Sequence, residues 1–138
     1  MFVHERPVRF EDVDAAQIVF FPRVLAYCHE AMAELMAGVD GGYAKLVVER
    51  RVGLPTVHVD VDFTAPLRFG DVARMEVTVS RIGRSSCTFE MSLTRVRDGA
   101  AVARVKLICA STDLSTLRSV VLPADVRRVL EAQLVTPA

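Results

Sequence analysis

The residues best suited to chemistry lie between Arg9 and Pro22, where acidic side chains precede an apolar stretch and the start of a helix. The first residues of a helix offer unpaired backbone N–H groups at the positive end of its dipole, and these can stabilise the oxyanion formed when a carbonyl is attacked. A carboxylate seven residues upstream can act as a nucleophile or as the base that activates water. The pair would form a minimal site for acyl transfer. The alternative is that Asp12 and Asp14 only solvate the loop or bind its backbone amides.

No other hydrolytic motif competes with this segment, because the sequence contains neither GxSxG nor HExxH nor a Walker phosphate loop. His29 and His58 have no partner at metal-like spacing, so both are expected to be structural and no metal site is predicted. Cys28 falls on the apolar stripe of the predicted helix, which favours core packing over a nucleophilic role. Asp12 is expected to shape the loop.

The elements that position the loop follow from hydrophobic periodicity. Alternation around Pro7, from Arg6 to Phe10, predicts a short edge strand. Apolar residues at three- and four-residue steps predict a long helix from Pro22 to Gly38, and a shorter helix is predicted over 43–51. Four antiparallel strands follow over 57–64, 74–80, 87–94 and 102–112, and Pro123 opens a terminal helix. One helix must bury its stripe against one antiparallel sheet, which is an α+β architecture.

The first of those four strands alternates apolar and polar side chains, so the sequence predicts that one of its faces is buried. The apolar positions are Val57, Val59, Val61 and Phe63. Five strands around one helix leave a sheet face and an edge to be covered, and this favours a dimer.

Composition limits the classes of function. The chain has 138 residues with 17 Lys and Arg against 17 Asp and Glu, which predicts one domain over 1–138 and no broad basic field for nucleic acid or a membrane surface. No apolar run approaches the roughly 20 residues that span a bilayer. The charged N-terminus argues against export, and three cysteines without CxxC spacing suit a reducing cytosol.

The acidic loop resembles the signature of the 4-hydroxybenzoyl-CoA thioesterase family of hot-dog proteins. The matching residues are Phe10, Asp12, Asp14, Ala16, Ile18, Val19, Phe21 and Pro22. The similarity continues in order through Val47–Arg50, Pro55, Phe63–Asp71, Ile82–Phe89 and Leu122–Asp125. The segment Cys28–Ala31 also resembles the 1,4-dihydroxy-2-naphthoyl-CoA thioesterase branch.

The resemblance implies a hot-dog fold, in which a curved antiparallel five-stranded sheet wraps a long central helix. It implies dimers that join two sheets and often pair into tetramers, with active sites at the dimer interface. The catalytic carboxylate of the family falls on Asp14, and the backbone N–H that polarises the thioester carbonyl falls on Phe21. The implied activity is hydrolysis of an aromatic acyl-CoA to the free acid and CoA, in the cytosol and without a cofactor.

The resemblance also assigns secondary roles. Gln17 stands where the family usually has glycine, so it must alter the loop or fill part of the pocket, unless its amide orients water or the acyl group or is merely exposed. Arg84 and Arg118 match positions that meet CoA phosphates, against the alternative of solvated turns. Ser86 matches a polar pocket position and Leu54 an acyl-pocket position, although a structural role is the alternative for each.

Two other functions are compatible with the sequence. The first is a non-catalytic acyl-CoA-binding hot-dog module, in which Gln17 marks a lapsed site. The second is a hot-dog hydratase or dehydratase acting on a thioester, which would require His58 to point at Asp14.

Overall fold

Two antiparallel sheets and two helices make up the structure, a computed structural model that describes residues 1–135; residues 136–138 of the predicted domain lie outside the described residues. The strands are β1 (Phe2–Pro7), β2 (Val52–Gly53), β3 (Thr56–Phe63), β4 (Val72–Ile82), β5 (Ser86–Arg95), β6 (Ala101–Ala110), β7 (Thr112–Asp113) and β8 (Arg118–Ser119). The helices are α1 (Phe21–Met36) and α2 (Ala124–Glu131). The main sheet has the order β1-β4-β5-β6-β3, and β2-β7-β8 form a small second sheet. The predicted five-stranded antiparallel sheet is confirmed.

Helix α1 begins one residue before Pro22, whose fixed φ and missing N–H suit the first turn. Its 16 residues span about 24 Å at 1.5 Å per residue. One stripe of the helix is buried and contacts β1 and β4. The buried residues of the stripe are Val24, Tyr27, Cys28, Ala31, Met32, Leu35 and Met36. Neither helix within residues 1–135 is long and apolar enough to cross a membrane.

The first strand ends earlier than predicted. It ends at Pro7, whereas the alternation suggested that it continues to Phe10. The chain leaves the sheet because the Arg9 N–H donates to the Asp12 carboxylate, and residues Phe10–Asp12 form a single 3₁₀ turn. The predicted helix over 43–51 contains a short π-helical segment, Lys45–Glu49.

The prediction that β3 buries its apolar face is wrong for a single chain. The side chains of Val57 and Phe63 are 64% and 49% exposed, and Val61 is half-buried. Strand β3 is an edge strand of the sheet and, within residues 1–135, pairs only with β6, while α1 packs on β1 and β4. Alternation indicates which side chains share a face of the sheet, but it does not indicate whether that face is covered. The rest of this chain leaves the apolar face of β3 largely uncovered.

Candidate active site

The acidic loop is a tight hairpin between β1 and α1. The Asp14 N–H donates to the Ile18 carbonyl at 3.1 Å, and the Gln17 N–H donates to the Asp14 carbonyl at 2.9 Å. Val13 and Val19 face each other in an antiparallel bridge on either side of this turn. A turn of this kind needs a residue with positive φ at its end. Gln17 occupies that position with φ +67°.

Gln17 therefore adopts the conformation that glycine would adopt more easily. A side chain in the left-handed region costs about 1–2 kcal/mol, which the surrounding hydrogen bonds offset here. The Gln17 side chain is exposed along the same depression as Asp14.

The Asp14 carboxylate is exposed and oriented. Its Oδ1 accepts the Ala16 N–H at 2.8 Å, as an aspartate at the first position of a turn often does. Its Oδ2 has no hydrogen-bond partner within residues 1–135 and is free to meet a substrate or water. The carboxylate lines an open depression of about 760 Å³, within the usual size range of ligand sites. The other lining residues are Phe10, Val13, Ala15, Gln17, Arg68 and Phe69.

Asp12 is placed very differently, since its side chain is fully buried. Its Oδ2 accepts the Tyr27 hydroxyl at 2.7 Å, the Arg9 N–H at 2.9 Å and Arg6 Nη1 at 3.0 Å. Burial alone would raise the pKa of Asp12, but these hydrogen bonds and the Arg6 charge outweigh it and hold the pKa below its usual value. Asp12 is therefore ionised, and its carboxylate has a structural role.

The Asp12 cluster joins the three elements around the hairpin. Arg6 lies on β1 and also pairs with Glu30 of α1 at 3.1 Å, while its guanidinium lies 4.8 Å from the centre of the Tyr27 ring. The Asp12 carbonyl accepts the Phe20 N–H at 2.9 Å, which fixes the residue just before α1. The cluster thus sets the positions of both the hairpin and the helix start, as expected of a loop-shaping Asp12.

The helix start presents one free donor. Pro22 has no N–H, the Arg23 N–H donates to the Phe20 carbonyl, and the Phe21 N–H has no acceptor within residues 1–135. Phe21 lines a second depression of about 450 Å³. Its other lining residues are Ile18, Val19, Val24, Phe63, Thr64, Ala65, Pro66, Leu67 and Val102. In a single copy of the chain, Asp14 and Phe21 therefore line separate depressions.

The remaining predicted site residues lie elsewhere. Leu54 is almost fully buried in the core, and Ser86 begins β5, where its carbonyl accepts the Gly83 N–H at 2.8 Å. Neither is among the residues that line the two depressions. Arg84 and Arg118 are exposed, and neither guanidinium forms an ion pair within the described part of the chain.

Sequence reasoning gave no role to Phe10, Arg68 or Phe69, which line the Asp14 depression. Phe10 is the first residue of the loop motif, and its place in that motif could have indicated that it lies near Asp14. Phe69 and Arg68 are distant in sequence and reach the site only through the pairing of β1 with β4, which follows their loop.

The other titratable candidates, His58 and Cys28, either contact a neighbouring side chain or are buried. His58 Nε2 lies 3.0 Å from Asp60 on the exposed β3 strand. Burial raises the pKa of Cys28 to about 12, so this thiol stays protonated. Residues 1–135 contain no group of three His, Cys, Asp or Glu side chains that could hold a metal ion.

Comparison with known proteins identifies the family. Residues 8–130 match the model of the thioesterase-like superfamily. The chain belongs to the thioesterase-like superfamily. A 1,4-dihydroxy-2-naphthoyl-CoA hydrolase of Nostoc punctiforme is 34% identical over 113 residues, which are 80% of this chain and 76% of that protein. A hydrolase of the same name from Trichodesmium erythraeum is 32% identical over 111 residues, 78% of this chain and 80% of that one.

Solved structures agree with this assignment to the thioesterase-like superfamily. A gentisyl-coenzyme A thioesterase superposes with a TM-score of 0.81 at 25% identity, covering 91% of this chain and 98% of that one. A 1,4-dihydroxy-2-naphthoyl-CoA thioesterase from Synechocystis gives a TM-score of 0.84 at 23% identity over 94% of each chain, which supports the fold. The predicted hot-dog fold with a five-stranded antiparallel sheet and the prediction of a thioester hydrolase are confirmed, whereas a long central helix wrapped by the sheet stays a prediction.

Proposed function

We propose that the protein is an acyl-CoA thioesterase that hydrolyses an aromatic acyl-CoA to the free acid and CoA. The observation that carries this proposal is the oriented Asp14 carboxylate, with a free Oδ2 on an open depression, seven residues before the free Phe21 N–H at the start of α1. The relatives named as 1,4-dihydroxy-2-naphthoyl-CoA hydrolases and gentisyl-coenzyme A thioesterase support an aromatic acyl group.

In the proposed reaction, the thioester carbonyl oxygen accepts a hydrogen bond from the Phe21 N–H, which stabilises the developing oxyanion. Asp14 then takes one of two roles. As a nucleophile, its Oδ2 bonds to the carbonyl carbon, the C–S bond breaks to release CoA thiolate, and water hydrolyses the mixed anhydride. As a general base, it removes a proton from water while the water oxygen bonds to the carbonyl carbon; the C–S bond then breaks, and the CoA thiolate leaves and takes up the proton. Both routes use only water and groups of the chain, so we propose no cofactor.

We propose that a second copy of the chain completes the site. Strand β3 is long, has no pairing partner on its outer side within residues 1–135 and is exposed on its apolar face, which is an edge that proteins normally cover. Phe63 lies at its end and also lines the Phe21 depression. Pairing of two sheets along β3 would bring the second copy against this depression. In this arrangement α1 is the central helix of each subunit, and the assembly is a homodimer or a homotetramer.

We propose that Arg84 and Arg118 bind the CoA phosphates. Their guanidinium groups are exposed and have no ion-pair partner within residues 1–135. One hydrogen bond joins the Arg84 turn to the segment that follows β8, since the Arg84 carbonyl accepts the Leu122 N–H at 3.0 Å. We propose that Ser86, next to the same turn, makes a polar contact with the substrate. The deep burial of Leu54 favours core packing over contact with the acyl group.

A non-catalytic acyl-CoA-binding module is the second candidate, because Gln17 stands where the resemblance implies glycine and lines the same depression as Asp14. The hydratase alternative receives no support, since His58 contacts Asp60 rather than Asp14. We propose the cytosol as the compartment, where three free cysteines persist.

The test is a thiol-release screen of the purified protein over benzoyl-, hydroxybenzoyl-, naphthoyl-, hexanoyl- and palmitoyl-CoA. We expect release of free CoA with the highest kcat/KM on an aromatic thioester. CoA binding without thiol release on any substrate would establish the binding module instead, and a preference for long chains would contradict the aromatic assignment.

A further inference from the structure

Two exposed phenyl rings stand on the Asp14 depression. Phe10 and Phe69 are 79% and 60% exposed, yet they contact each other edge to face with ring centres 5.9 Å apart. One follows β1 and the other precedes β4, so the pairing of these strands holds the rings together. Exposed apolar groups that cluster beside a functional residue commonly mark a binding surface. Aromatic rings also accept a third ring in offset or edge-to-face packing.

A guanidinium group lies beside these rings. Arg68 is exposed, lines the same depression and has no acidic partner within residues 1–135. Its backbone is fixed, because its N–H donates to Asp71 Oδ2 at 2.9 Å and its carbonyl accepts the Asp71 N–H at 3.0 Å. Arg97 Nε donates to Asp71 Oδ1 at 2.7 Å, so both oxygens of the Asp71 carboxylate already accept hydrogen bonds. The backbone of Arg68 is thus fixed, and its exposed guanidinium donors have no partner within residues 1–135.

We propose that Phe10, Phe69 and Arg68 bind the acyl part of the substrate, and that they select a planar aromatic acyl group with an oxygen substituent on its ring. The acyl ring packs against the two phenyl rings, and its hydroxyl or phenolate oxygen accepts hydrogen bonds from the Arg68 guanidinium. This orientation brings the attached thioester toward the free Oδ2 of Asp14, which lines the same depression. The inference rests on the proposed thioesterase function and names its specificity-determining residues.

The rings are tested by comparing Phe10→Leu and Phe69→Leu with Phe2→Leu, a partly buried phenyl on β1 that lines neither depression. The measurement is the ratio of kcat/KM for hydroxybenzoyl-CoA to that for hexanoyl-CoA. Loss of one aromatic contact should lower this ratio about 2- to 12-fold for each of the first two variants and leave it unchanged for Phe2→Leu. An unchanged ratio in the first two variants would overturn the assignment of the rings.

Arg68→Gln is tested on hydroxybenzoyl-CoA and benzoyl-CoA, which differ only in the ring oxygen. The ratio of their kcat/KM values should fall about tenfold, as expected for loss of a hydrogen bond to a charged donor, and Arg68→Lys should restore part of it. An equal loss on both substrates, with weaker inhibition by free CoA, would assign Arg68 to a CoA phosphate and contradict the proposal.

The outcome is separable from that of the thioesterase proposal. If the wild type hydrolyses aromatic thioesters and the variants change all substrates equally, the acyl site is wrong while the function stands. If the wild type hydrolyses nothing, the same variants are compared by titration with a non-hydrolysable hydroxybenzoyl thioether of CoA and with free CoA. Weaker binding of the thioether alone would support the acyl site, and equal affinity to wild type would overturn it.

Discussion

Replacing Tyr27 with Phe removes one hydrogen bond from the buried Asp12 and leaves the rest of its surroundings in place. The bond from the Tyr27 hydroxyl to Asp12 Oδ2 measures 2.7 Å, and both side chains are fully buried. A hydrogen bond to a charged group contributes about 1.5–3 kcal/mol. Because Oδ2 keeps the donors of Arg9 and Arg6, its charge is not left unpaired. We therefore expect a loss near the lower end, about 1.5–2 kcal/mol of unfolding free energy.

The assay is urea unfolding followed by circular dichroism at a fixed protein concentration, since association also changes apparent stability. Tyr43→Phe is the matched control, because Tyr43 is half-buried and its hydroxyl forms no hydrogen bond within residues 1–135. The control should stay within about 0.5 kcal/mol of wild type. Equal losses for the two variants, or a loss below about 0.5 kcal/mol for Tyr27→Phe, would refute the role given to the Asp12 cluster.

The same variant has a defined pH dependence. The folded pKa of Asp12 is below its usual value, so its contribution to stability is present above about pH 4 and is lost as the pH falls through the folded pKa. Without the Tyr27 donor the pKa of Asp12 is depressed less, and the variant should therefore lose stability at a higher pH than wild type. The difference between the two proteins should be largest near neutral pH and should shrink in acid.

Three further results are expected. Gln17→Gly should stabilise the fold by up to about 1 kcal/mol in urea unfolding, because glycine accepts φ +67° without strain, whereas Gln17→Ala should give no such gain. Val59→Lys should lower the oligomeric mass measured by light scattering, while Val48→Lys, at an exposed valine away from β3, should leave it unchanged; equal masses for both would contradict the β3 interface. All three cysteines are buried and should resist iodoacetamide at pH 8 in the native protein but react in urea; rapid native labelling would be inconsistent with this burial.

Periodicity predicted most of the fold because α1 and the main strands each have a regular buried pattern. It failed at β3, since alternation assigns Val57 and Phe63 to one face but carries no information on whether the chain covers that face. It also extended β1 to Phe10, because the capping of Arg9 by Asp12 competes with strand pairing and leaves no periodic signal.

In the candidate site, too, local sequence indicated some features, whereas others depend on contacts between distant residues. Asp14, Gln17 and Phe21 were named through the resemblance of the loop motif to the family signature, and they lie on a hairpin and at the start of the helix that follows it. Their roles in the reaction stay predictions. The cluster of Asp12 with Arg6 and Tyr27 joins a strand, a loop and a helix, and such contacts depend on packing rather than spacing. The approach of Phe69 to Phe10 likewise requires the register of β1 with β4.

The central claim is that Asp14 is the catalytic carboxylate, and Asp14→Asn tests it most directly. Asparagine keeps an oxygen that can accept the Ala16 N–H at the Oδ1 position, so the hairpin should survive and the unfolding free energy should change little. The measurement is kcat on the best aromatic acyl-CoA. We predict a fall of well over tenfold with KM nearly unchanged, whereas a loss of less than tenfold, about 1.4 kcal/mol of barrier, would contradict the account.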